Sequence, residues 1–158
     1  MSATGTAGTD GIFALVPASY VYLLREGARG TEVLLQQRGD VPYMPRHWAA
    51  GAAGKADRSE DAVSAAVREL AEELDVVAHD LTFEFTMQRT QYGPAIEERV
   101  DFFFTARSWS GTPRIVEPDK CLELAWFPLR ELPAPLVPHE AHALAHLGSG
   151  QRYLTFGF

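Results

Sequence analysis

The chain has 158 residues, of which 46% are hydrophobic and 22% are charged. This length suits one domain with a substantial hydrophobic core, and the composition is that of a globular protein rather than a disordered one. The formal net charge of -7 argues against a nucleic acid polymer or an anionic membrane as the main partner.

The N-terminal segment carries no secretion or membrane signal. Residues 1–11 are small and polar, which predicts a flexible tail before a single domain at residues 12–158. No apolar run approaches the roughly 20 residues that a membrane span requires. The single cysteine, Cys121, permits no internal disulfide and is expected to be a small buried residue. These features predict a cytoplasmic protein with no membrane partner.

The predicted elements begin with strands. Residues 12–24 are apolar and interrupted by Pro17, which predicts a strand with a bend or an edge position. A turn at residues 26–31 leads to a second strand at residues 32–38, and a loop then runs to Gly54. Later strands are predicted at residues 81–91, 98–108 and 121–127, with a turn at Gly93 and Pro94. With a C-terminal helix at residues 138–147, this order predicts an α+β fold with a mixed sheet.

The clearest helix is predicted over residues 60–74. Ser59 is the expected N-cap, and Glu60 and Asp61 would follow in the first turn. One face of the helix carries apolar residues at spacings of four, three and four, namely Val63, Val67, Leu70 and Leu74. This stripe is expected to pack against the core.

Three glutamates of this helix lie within an arc of roughly 100°, well away from the apolar stripe. They are Glu69, Glu72 and Glu73. Crowded carboxylates favour a neutralising cation, and hard cations such as Mg²⁺ or Mn²⁺ prefer these oxygens. The alternative is a solvated acidic face on which Arg68 pairs with Glu72. The helix alone leaves both interpretations open.

The spacing of residues 54–76 resembles the Nudix box, which reads G-x5-E-x7-R-E-apolar-x-E-E-x-G-apolar. The matching residues are Gly54, Glu60, Arg68, Glu69, Leu70, Glu72, Glu73 and Val76. The segments EVLLQQR before the box and ELAWFPLRELP after it also resemble strands of that family. Asp75 replaces the second glycine of the box, and Ala53 replaces the glycine that usually precedes Gly54.

The resemblance implies a Nudix α/β/α sandwich with a glutamate-rich catalytic helix. It implies metal-dependent hydrolysis of a diphosphate bond in a nucleoside triphosphate or another nucleoside diphosphate derivative. The implied cofactor is Mg²⁺, with Mn²⁺ as a substitute. The implied metal ligands are the carboxylates of Glu69, Glu72 and Glu73 and the carbonyl of Ala53.

The resemblance also assigns the remaining roles within the box. Glu69 and Glu73 would be catalytic, and Arg68 would hold the glutamates in register. Gly54 and Glu60 would shape the loop of the box. The general base would be Glu69 or a carboxylate on a later loop, for which the candidates are Glu98 and Glu117.

Residues outside the box give weaker indications. By the resemblance Arg38 would contact the substrate, with a surface salt bridge as the alternative. Tyr92 and Pro94 resemble conflicting family cues to the substrate. The aromatic residues Phe102–Phe104 and Trp126 are expected to pack in the core rather than stack on a base. His139, His142 and His146 share one side of the last helix, where a polar face is favoured over a metal site.

Two other functions stay open. A nucleotide-binding regulatory module without catalysis would be expected to lose carboxylates of the box, whereas this chain keeps all four. An isomerase of a prenyl diphosphate is disfavoured by the lone Cys121 and by the absence of large insertions. The expected partner is a small nucleotide-like diphosphate, and the family also contains homodimers.

Overall fold

The computed structural model describes residues 11–90 and 98–158, which form ten strands and two α-helices. In chain order the elements are β1 (Val16–Gly27), β2 (Gly30–Arg38), β3 (Trp48–Ala50), β4 (Ala52–Lys55), α1 (Ala62–Leu74), β5 (Val77–Ala78), β6 (Thr82–Arg89), β7 (Arg99–Ala106), β8 (Trp109–Ser110), β9 (Cys121–Pro128), α2 (Pro138–Ala145) and β10 (Tyr153–Phe156). Within these described ranges, no helix combines the length and apolar character needed to cross a membrane.

A mixed eight-stranded sheet forms the centre of the fold. Its main path runs β10-β6-β7-β1-β2-β3, with β4 also paired to β1 and β9 to β2. Strand β1 is parallel to β7 along one edge and antiparallel to β4 and β2 along the other. The short strands β5 and β8 pair separately.

The two helices cover opposite faces of this sheet. Leu70 and Leu74 of α1 belong to one buried cluster, and Ala143 and Leu144 of α2 belong to the other. Successive side chains of β1 alternate between the two clusters, as the pleat of a strand requires. This arrangement confirms the predicted α+β fold and its α/β/α layers.

Most predicted strands are present, with bounds that differ by a few residues. The edge position suggested for the first strand is wrong, because β1 lies inside the sheet and Pro17 is tolerated at its beginning. Residues 48–55 were expected to form a loop but contain β3 and β4. The predicted turn at Gly93 and Pro94 and residues 1–10 of the predicted tail lie outside the described residues.

Helix α1 begins later than its sequence suggests. Its N-cap is Asp61, whose Oδ1 accepts a hydrogen bond of 2.8 Å from the backbone N–H of Ser64. The predicted N-cap at Ser59 is wrong, since Ser59 lies in the preceding turn with a φ of 67°. Glu60 therefore also precedes the helix and is free to reach toward its side chains.

The buried face of α1 is rotated toward the glutamates. Val63 and Val67 are 53% and 46% exposed, so the predicted stripe is wrong at these two positions. Ala66 and Leu70 are fully buried instead, and Glu69 is only 7% exposed. Small alanines let the helix approach the sheet closely and hold Glu69 at the edge of the core.

Asp75 ends α1 in the left-handed conformation, with φ 59° and ψ 43°. Its backbone N–H donates to the carbonyl of Ala71, and the next backbone N–H, that of Val76, donates to the carbonyl of Leu70, which satisfies the end of the helix. Only glycine adopts this conformation without steric cost.

Asp75→Gly is expected to stabilise the protein by up to about 1 kcal/mol and to leave activity unchanged. The exposed ion pair between Asp75 and Arg114 offsets little of this gain. Thermal unfolding should show a midpoint increase of roughly 2–4 °C. Asp75→Asn is the control, because it removes the ion pair and keeps a side chain that tolerates positive φ. Equal midpoints for all three proteins would show that the cap carries no strain.

Candidate active site

A cavity of about 490 Å³ opens on the α2 side of the sheet and reaches the C-terminal half of α1. At one end, here called the box end, it is lined by Ala53, Gly54 and Glu73. At the other, here called the arginine end, it is lined by Arg89 and Arg99. Strands β7 and β1 separate β6 from β4. With neighbouring strands about 4.8 Å apart, the backbone of β4 lies about 10 Å from that of β7, which carries Arg99, and about 14 Å from that of β6, which carries Arg89.

Arg68 joins the loop before α1 to the carboxylates of the helix. Its guanidinium donates to Glu60 at 2.8 and 2.9 Å, to Glu69 at 2.8 Å and to Glu72 at 3.1 Å. It also donates to the carbonyl of Lys55 at 3.0 Å. The hydrogen bonds from Arg68 and from the Asp57 N–H lower the pKa of Glu60 to about 2. Arg68 therefore connects the loop before α1 to the glutamates of the helix by hydrogen bonds.

Glu69 and Glu73 form a carboxyl pair at the box end. The two side chains hydrogen bond to each other, and the N–H of Ala53 donates to Glu73 Oε1 at 3.2 Å. Burial raises the pKa of both groups, and the neighbouring charge of Glu69 helps to raise that of Glu73 to about 9. The pair therefore favours a proton or a cation that offsets its negative charge.

Gly54 lies so close to the side chain of Glu69 that a larger residue does not fit, and this contact rather than a turn explains the glycine. A methyl group on its α-carbon would collide with the carboxylate of Glu69. Gly54 also lies in the cavity wall, so a side chain there would disturb both the carboxyl pair and the space beside it. This contact gives a physical reason for glycine at the first position of the box.

The predicted metal ligands are only partly assembled. Among residues 11–90 and 98–158, no group of three or more His, Cys, Asp or Glu side chains is arranged to hold a metal ion. Glu72 is exposed and bonded to Arg68, while Glu69 and Glu73 lie together. Two crowded carboxylates with raised pKa values nevertheless match the oxygen donors that Mg²⁺ prefers. The donor chemistry thus fits a divalent cation at the box end.

The cavity reverses the negative charge of the chain locally. Five cationic side chains line it, namely Arg38, Lys55, Arg89, Arg99 and Lys120. Among the described residues, three carboxyl side chains do so, namely Glu73, Glu117 and Glu140. Such a surplus of positive groups in a concave site attracts anions. The cavity can therefore receive a phosphate-bearing molecule even though the net charge of the protein is -7.

Arg38 lies in this cavity at the end of β2. Its Nε donates to the carbonyl of Tyr43 at 3.0 Å, and its guanidinium lies 5.6 Å from the centre of the Tyr43 ring. Among the described residues no carboxylate forms an ion pair with it. This position suits the predicted substrate contact better than the alternative of a surface salt bridge.

The two later-loop carboxylates occupy different places. Glu117 lines the cavity, and its charge contributes to the raised pKa of Glu73. Its carboxylate lies 3.4 Å from Lys120 Nζ. Glu98 does not line the cavity. Only Glu117 is therefore close to the carboxyl pair.

Apart from His139, the buried polar residues at the arginine end of the cavity were not predicted from the sequence. Arg89 donates to Asp101 through Nε and to the hydroxyl of Tyr20 at 3.3 Å. His139 Nε2 lies 3.2 Å from the same hydroxyl. Asp101 is fully buried behind this group. No local motif marks these residues, because the β-sheet register brings together positions far apart in the sequence.

Glu140 closes the wall between β3 and α2. Its Oε1 accepts hydrogen bonds of 2.7 Å from the hydroxyl of Tyr22 and from the N–H of Ala50. Burial raises the pKa of Glu140 to about 7, although these hydrogen bonds act in the opposite direction. This part of the cavity is therefore polar.

The two histidines of α2 and His146, the residue that caps its C-terminus, do not share one environment. His139 is 3% exposed, so the expected polar face is wrong there. Burial, followed by the charges of Arg89, Arg99 and Arg38, holds the pKa of His139 well below its usual value. His142 and His146 contact each other with ring centres 4.6 Å apart.

The other residues singled out from the sequence lie mainly in the cores. Phe103 and Phe104 are buried, and Trp126 stacks between Trp109 and the guanidinium of Arg25. None of these aromatic residues lines the cavity. Cys121 is buried and free, as expected, and it also reaches the cavity wall.

The chain is similar in sequence and structure to known proteins of one family. Residues 14–147 match the model of the NUDIX domain. The MutT NUDIX hydrolase of Burkholderia pseudomallei is 30% identical, with 84% of this chain and 97% of that chain covered and a TM-score of 0.75. The NUDIX domain of Shewanella oneidensis NrtR, solved with ADP ribose, is 19% identical over 92% of this chain and 96% of its own, with a TM-score of 0.68.

A curated relative carries a different activity in its name. The isopentenyl-diphosphate Delta-isomerase of Jannaschia sp. strain CCS1 is 33% identical over 115 residues. These residues cover 71% of this chain and 63% of the isomerase, so the chain spans less than two thirds of that relative's length.

Proposed function

Since this chain belongs to the Nudix family, we propose that it hydrolyses a diphosphate bond in a nucleoside triphosphate or another nucleoside diphosphate derivative. The observation that carries this proposal is the cavity, which joins the carboxyl pair of the box to five cationic side chains. Carboxylates at one end supply acid–base and metal-binding groups, and the cations favour a polyanionic substrate.

Three residues near the carboxyl pair have distinct roles in this proposal. Arg68 holds Glu69 beside Glu73 through its hydrogen bonds to Glu60 and Glu69. Arg38 lies where it can pair with phosphate oxygens, for which a guanidinium has matching donors. Glu117 is the best-placed side chain to accept the proton of the attacking water, because it faces the cavity beside Glu73.

The proposed cofactor is Mg²⁺, with Mn²⁺ as a substitute. The ligands would be Glu69, Glu73, Glu72 and the carbonyl of Ala53, with Glu72 released from Arg68. The cation would supply the positive charge that offsets the negative oxygens of the scissile diphosphate. The raised pKa of Glu73 supports this assignment, since burial and the neighbouring charge of Glu69 both disfavour its ionised form when no cation offsets it.

Isomerisation of a prenyl diphosphate is the second candidate, because one relative is named as such an isomerase. The wall of the cavity away from the box is lined by Tyr20, Arg89 and Glu140. An apolar chain against this wall would displace water from these polar groups and offer no hydrogen bonds in return. The polar wall therefore favours a nucleotide-like substrate.

The test is an incubation with Mg²⁺ and a panel of nucleoside triphosphates, ADP-ribose, dinucleoside polyphosphates and isopentenyl diphosphate. Products are identified by phosphorus NMR and chromatography. Release of phosphate, pyrophosphate or a nucleoside monophosphate is the expected result. A shifted double bond in the prenyl diphosphate without hydrolysis would establish the isomerase instead. Tight nucleotide binding without any turnover would establish a regulatory module.

Gly54→Ala is expected to lower kcat roughly 10- to 100-fold with little change in stability. The added methyl group pushes the flexible carboxylate of Glu69 out of register with Glu73, and misplacement of about 1 Å has effects of this size. Steady-state kinetics and thermal unfolding measure the two quantities.

Gly27→Ala is the matched control for this variant. Its methyl group would likewise displace a carboxylate, that of Glu32, but at the β1–β2 hairpin outside the cavity. Its kcat should remain within about twofold of the original. Equal loss in both variants would contradict the role of the Gly54 contact.

A further inference from the structure

Tyr43 presents an accessible aromatic ring to the cavity. Among the described residues, three aromatic side chains line it, those of Tyr20, Tyr43 and His139. Tyr20 and His139 are buried and contact each other edge to face, with ring centres 5.4 Å apart. Tyr43 is 37% exposed and contacts neither of these rings. Of the three, Tyr43 therefore carries the ring that a ligand in the cavity can reach.

Arg38, at the end of β2, fixes the loop that carries Tyr43. Its backbone N–H donates to the carbonyl of His47 at 2.9 Å, and its carbonyl accepts from the N–H of Arg46 at 3.0 Å. Its side-chain Nε donates to the carbonyl of Tyr43 at 3.0 Å. These three hydrogen bonds close residues 39–47 into a compact loop and hold the backbone of Tyr43 beside the cavity.

The same loop contains two residues in the left-handed conformation. Met44, which follows Tyr43, has a φ of 49°, and Arg46 has a φ of 63°. This conformation costs energy for any residue that has a β-carbon. Such strain persists only where the surrounding structure imposes it, and it is concentrated at ligand-binding sites. The loop therefore keeps a costly shape that sets Tyr43 at the cavity.

Tyr43 and Arg38 together have the recognition chemistry that a nucleotide requires. The guanidinium of Arg38 lies 5.6 Å from the centre of the Tyr43 ring, and both side chains line the cavity. A nucleotide joins a flat aromatic base to an anionic phosphate through one sugar. A tyrosine ring stacks on such a base, and a guanidinium has the donors that phosphate oxygens accept. The two neighbouring side chains thus match the two ends of one nucleotide.

We infer that Tyr43 binds the nucleobase of the substrate by stacking its ring on the base, while Arg38 binds a phosphate of the same nucleotide. The inference rests on the proposed hydrolysis and assigns the residue that recognises the base. Stacking uses the flat face that every base offers. The base therefore contributes to affinity through Tyr43, and a diphosphate without an aromatic base is a poorer ligand.

The test is equilibrium binding, without metal, of AMP and of ribose 5-phosphate, which differ only by the base. The original protein should bind AMP about tenfold or more tightly, as stacking of one base provides. Tyr43→Ala should reduce this preference to about twofold or less. It should leave the affinity for ribose 5-phosphate unchanged, because the backbone carbonyl that holds Arg38 remains. Tyr43→Phe, which keeps the ring, should retain the preference. Tyr153→Ala removes an exposed tyrosine outside the cavity and is the matched control.

Steady-state kinetics give a second measure with the best nucleotide substrate of the panel. Tyr43→Ala should raise KM about tenfold and leave kcat within about twofold of the original. A stacked base is held equally in the bound substrate and in the transition state, and loss of such uniform binding changes KM alone.

Equilibrium binding separates this inference from the proposed hydrolysis. Equal affinities of the original protein for AMP and ribose 5-phosphate, or an undiminished preference in Tyr43→Ala, would overturn the stacking role while hydrolysis stands. An equal loss of affinity for both ligands in Tyr43→Ala would also overturn it, because the ring would then act on the phosphate contact. A preference for AMP that Tyr43→Ala abolishes, without turnover of any substrate, would support stacking and overturn hydrolysis.

Discussion

Replacing Glu73 by glutamine is expected to lower kcat/KM by on the order of 10³-fold, equivalent to about 4 kcal/mol in transition-state free energy. Glu73 contacts Glu69 and the Ala53 N–H at the box end and faces the cavity. Glutamine keeps the size of the side chain but cannot carry the negative charge that a cation or a proton transfer requires. The measurement is steady-state hydrolysis of the best substrate of the panel.

The same variant should be at least as stable as the original protein in metal-free buffer. The pKa of Glu73 is raised from 4.5 to about 9, so the folded state binds the proton more tightly than the unfolded chain does. The contribution of Glu73 to the stability of the original protein is then greatest below about pH 4.5 and is lost as the pH rises toward 9. The slope cannot exceed about 1.4 kcal/mol per pH unit. Glu73→Gln removes this contribution to the decline.

Thermal unfolding at pH 5 and pH 8.5, with and without Mg²⁺, measures these effects. At pH 8.5 Mg²⁺ should raise the midpoint of the original protein and not that of Glu73→Gln, because only the carboxylate binds the cation. Glu131→Gln, an exposed glutamate paired with Arg29, serves as the control and should behave as the original protein. Full activity of Glu73→Gln, or loss of its fold at both pH values, would contradict the assignment.

The fold was predictable where periodicity and turn residues dominate. The hairpin of β1 and β2, the later strands and α2 follow from such patterns. The short strands β3 and β4 were missed because three or four residues carry too little periodicity, and their pairing depends on β1 and β2. The position of helix α1 in the sequence was predicted closely, but its buried face was not. The apolar periodicity assigned Val63 and Val67 to that face, and both are exposed. The real interface uses buried alanines beside Leu70 and Leu74, with Glu69 buried at its edge.

The residues of the candidate site also differ in how far the sequence could predict them. Spacing within the box placed Gly54, Arg68, Glu69 and Glu73, because residues of one loop and one helix keep their distances in any fold that retains them. Tyr20, Arg89, Asp101, His139 and Glu140 come from four elements separated along the chain. Each is an ordinary residue in its own segment, and only the register of the sheet makes them neighbours. The box end was therefore visible in the sequence, and the arginine end was not.

The charge of the chain shows why composition alone misleads. A net charge of -7 argues against a nucleic acid polymer as the main partner, yet five cationic side chains among the described residues line the cavity. Local placement decides how a small anion is attracted, because surface charges farther away than about 10 Å are largely screened by salt. The acidic surface and the basic cavity are therefore compatible in one molecule.

Glu117→Gln is expected to lower kcat roughly 100-fold while KM stays within about threefold, which is the loss typical of a removed general base. Glu117 faces the cavity, and its charge acts on Glu73, so its carboxylate is near the water that would attack the phosphorus. The glutamine side chain keeps the polar contact of this position but accepts no proton. Stability should change little, since the side chain of Glu117 is 42% exposed.

Glu98→Gln is the matched control, because Glu98 follows the box as Glu117 does and does not line the cavity. Its kcat should stay within about twofold of the original. Equal and large losses in both variants would point to a general effect of acidic residues on the fold. A loss confined to Glu98→Gln would transfer the role of base to that residue and contradict the placement argued from the cavity. Full activity in both would leave Glu69 as the base, since it is the remaining candidate and lies against Glu73 at the box end.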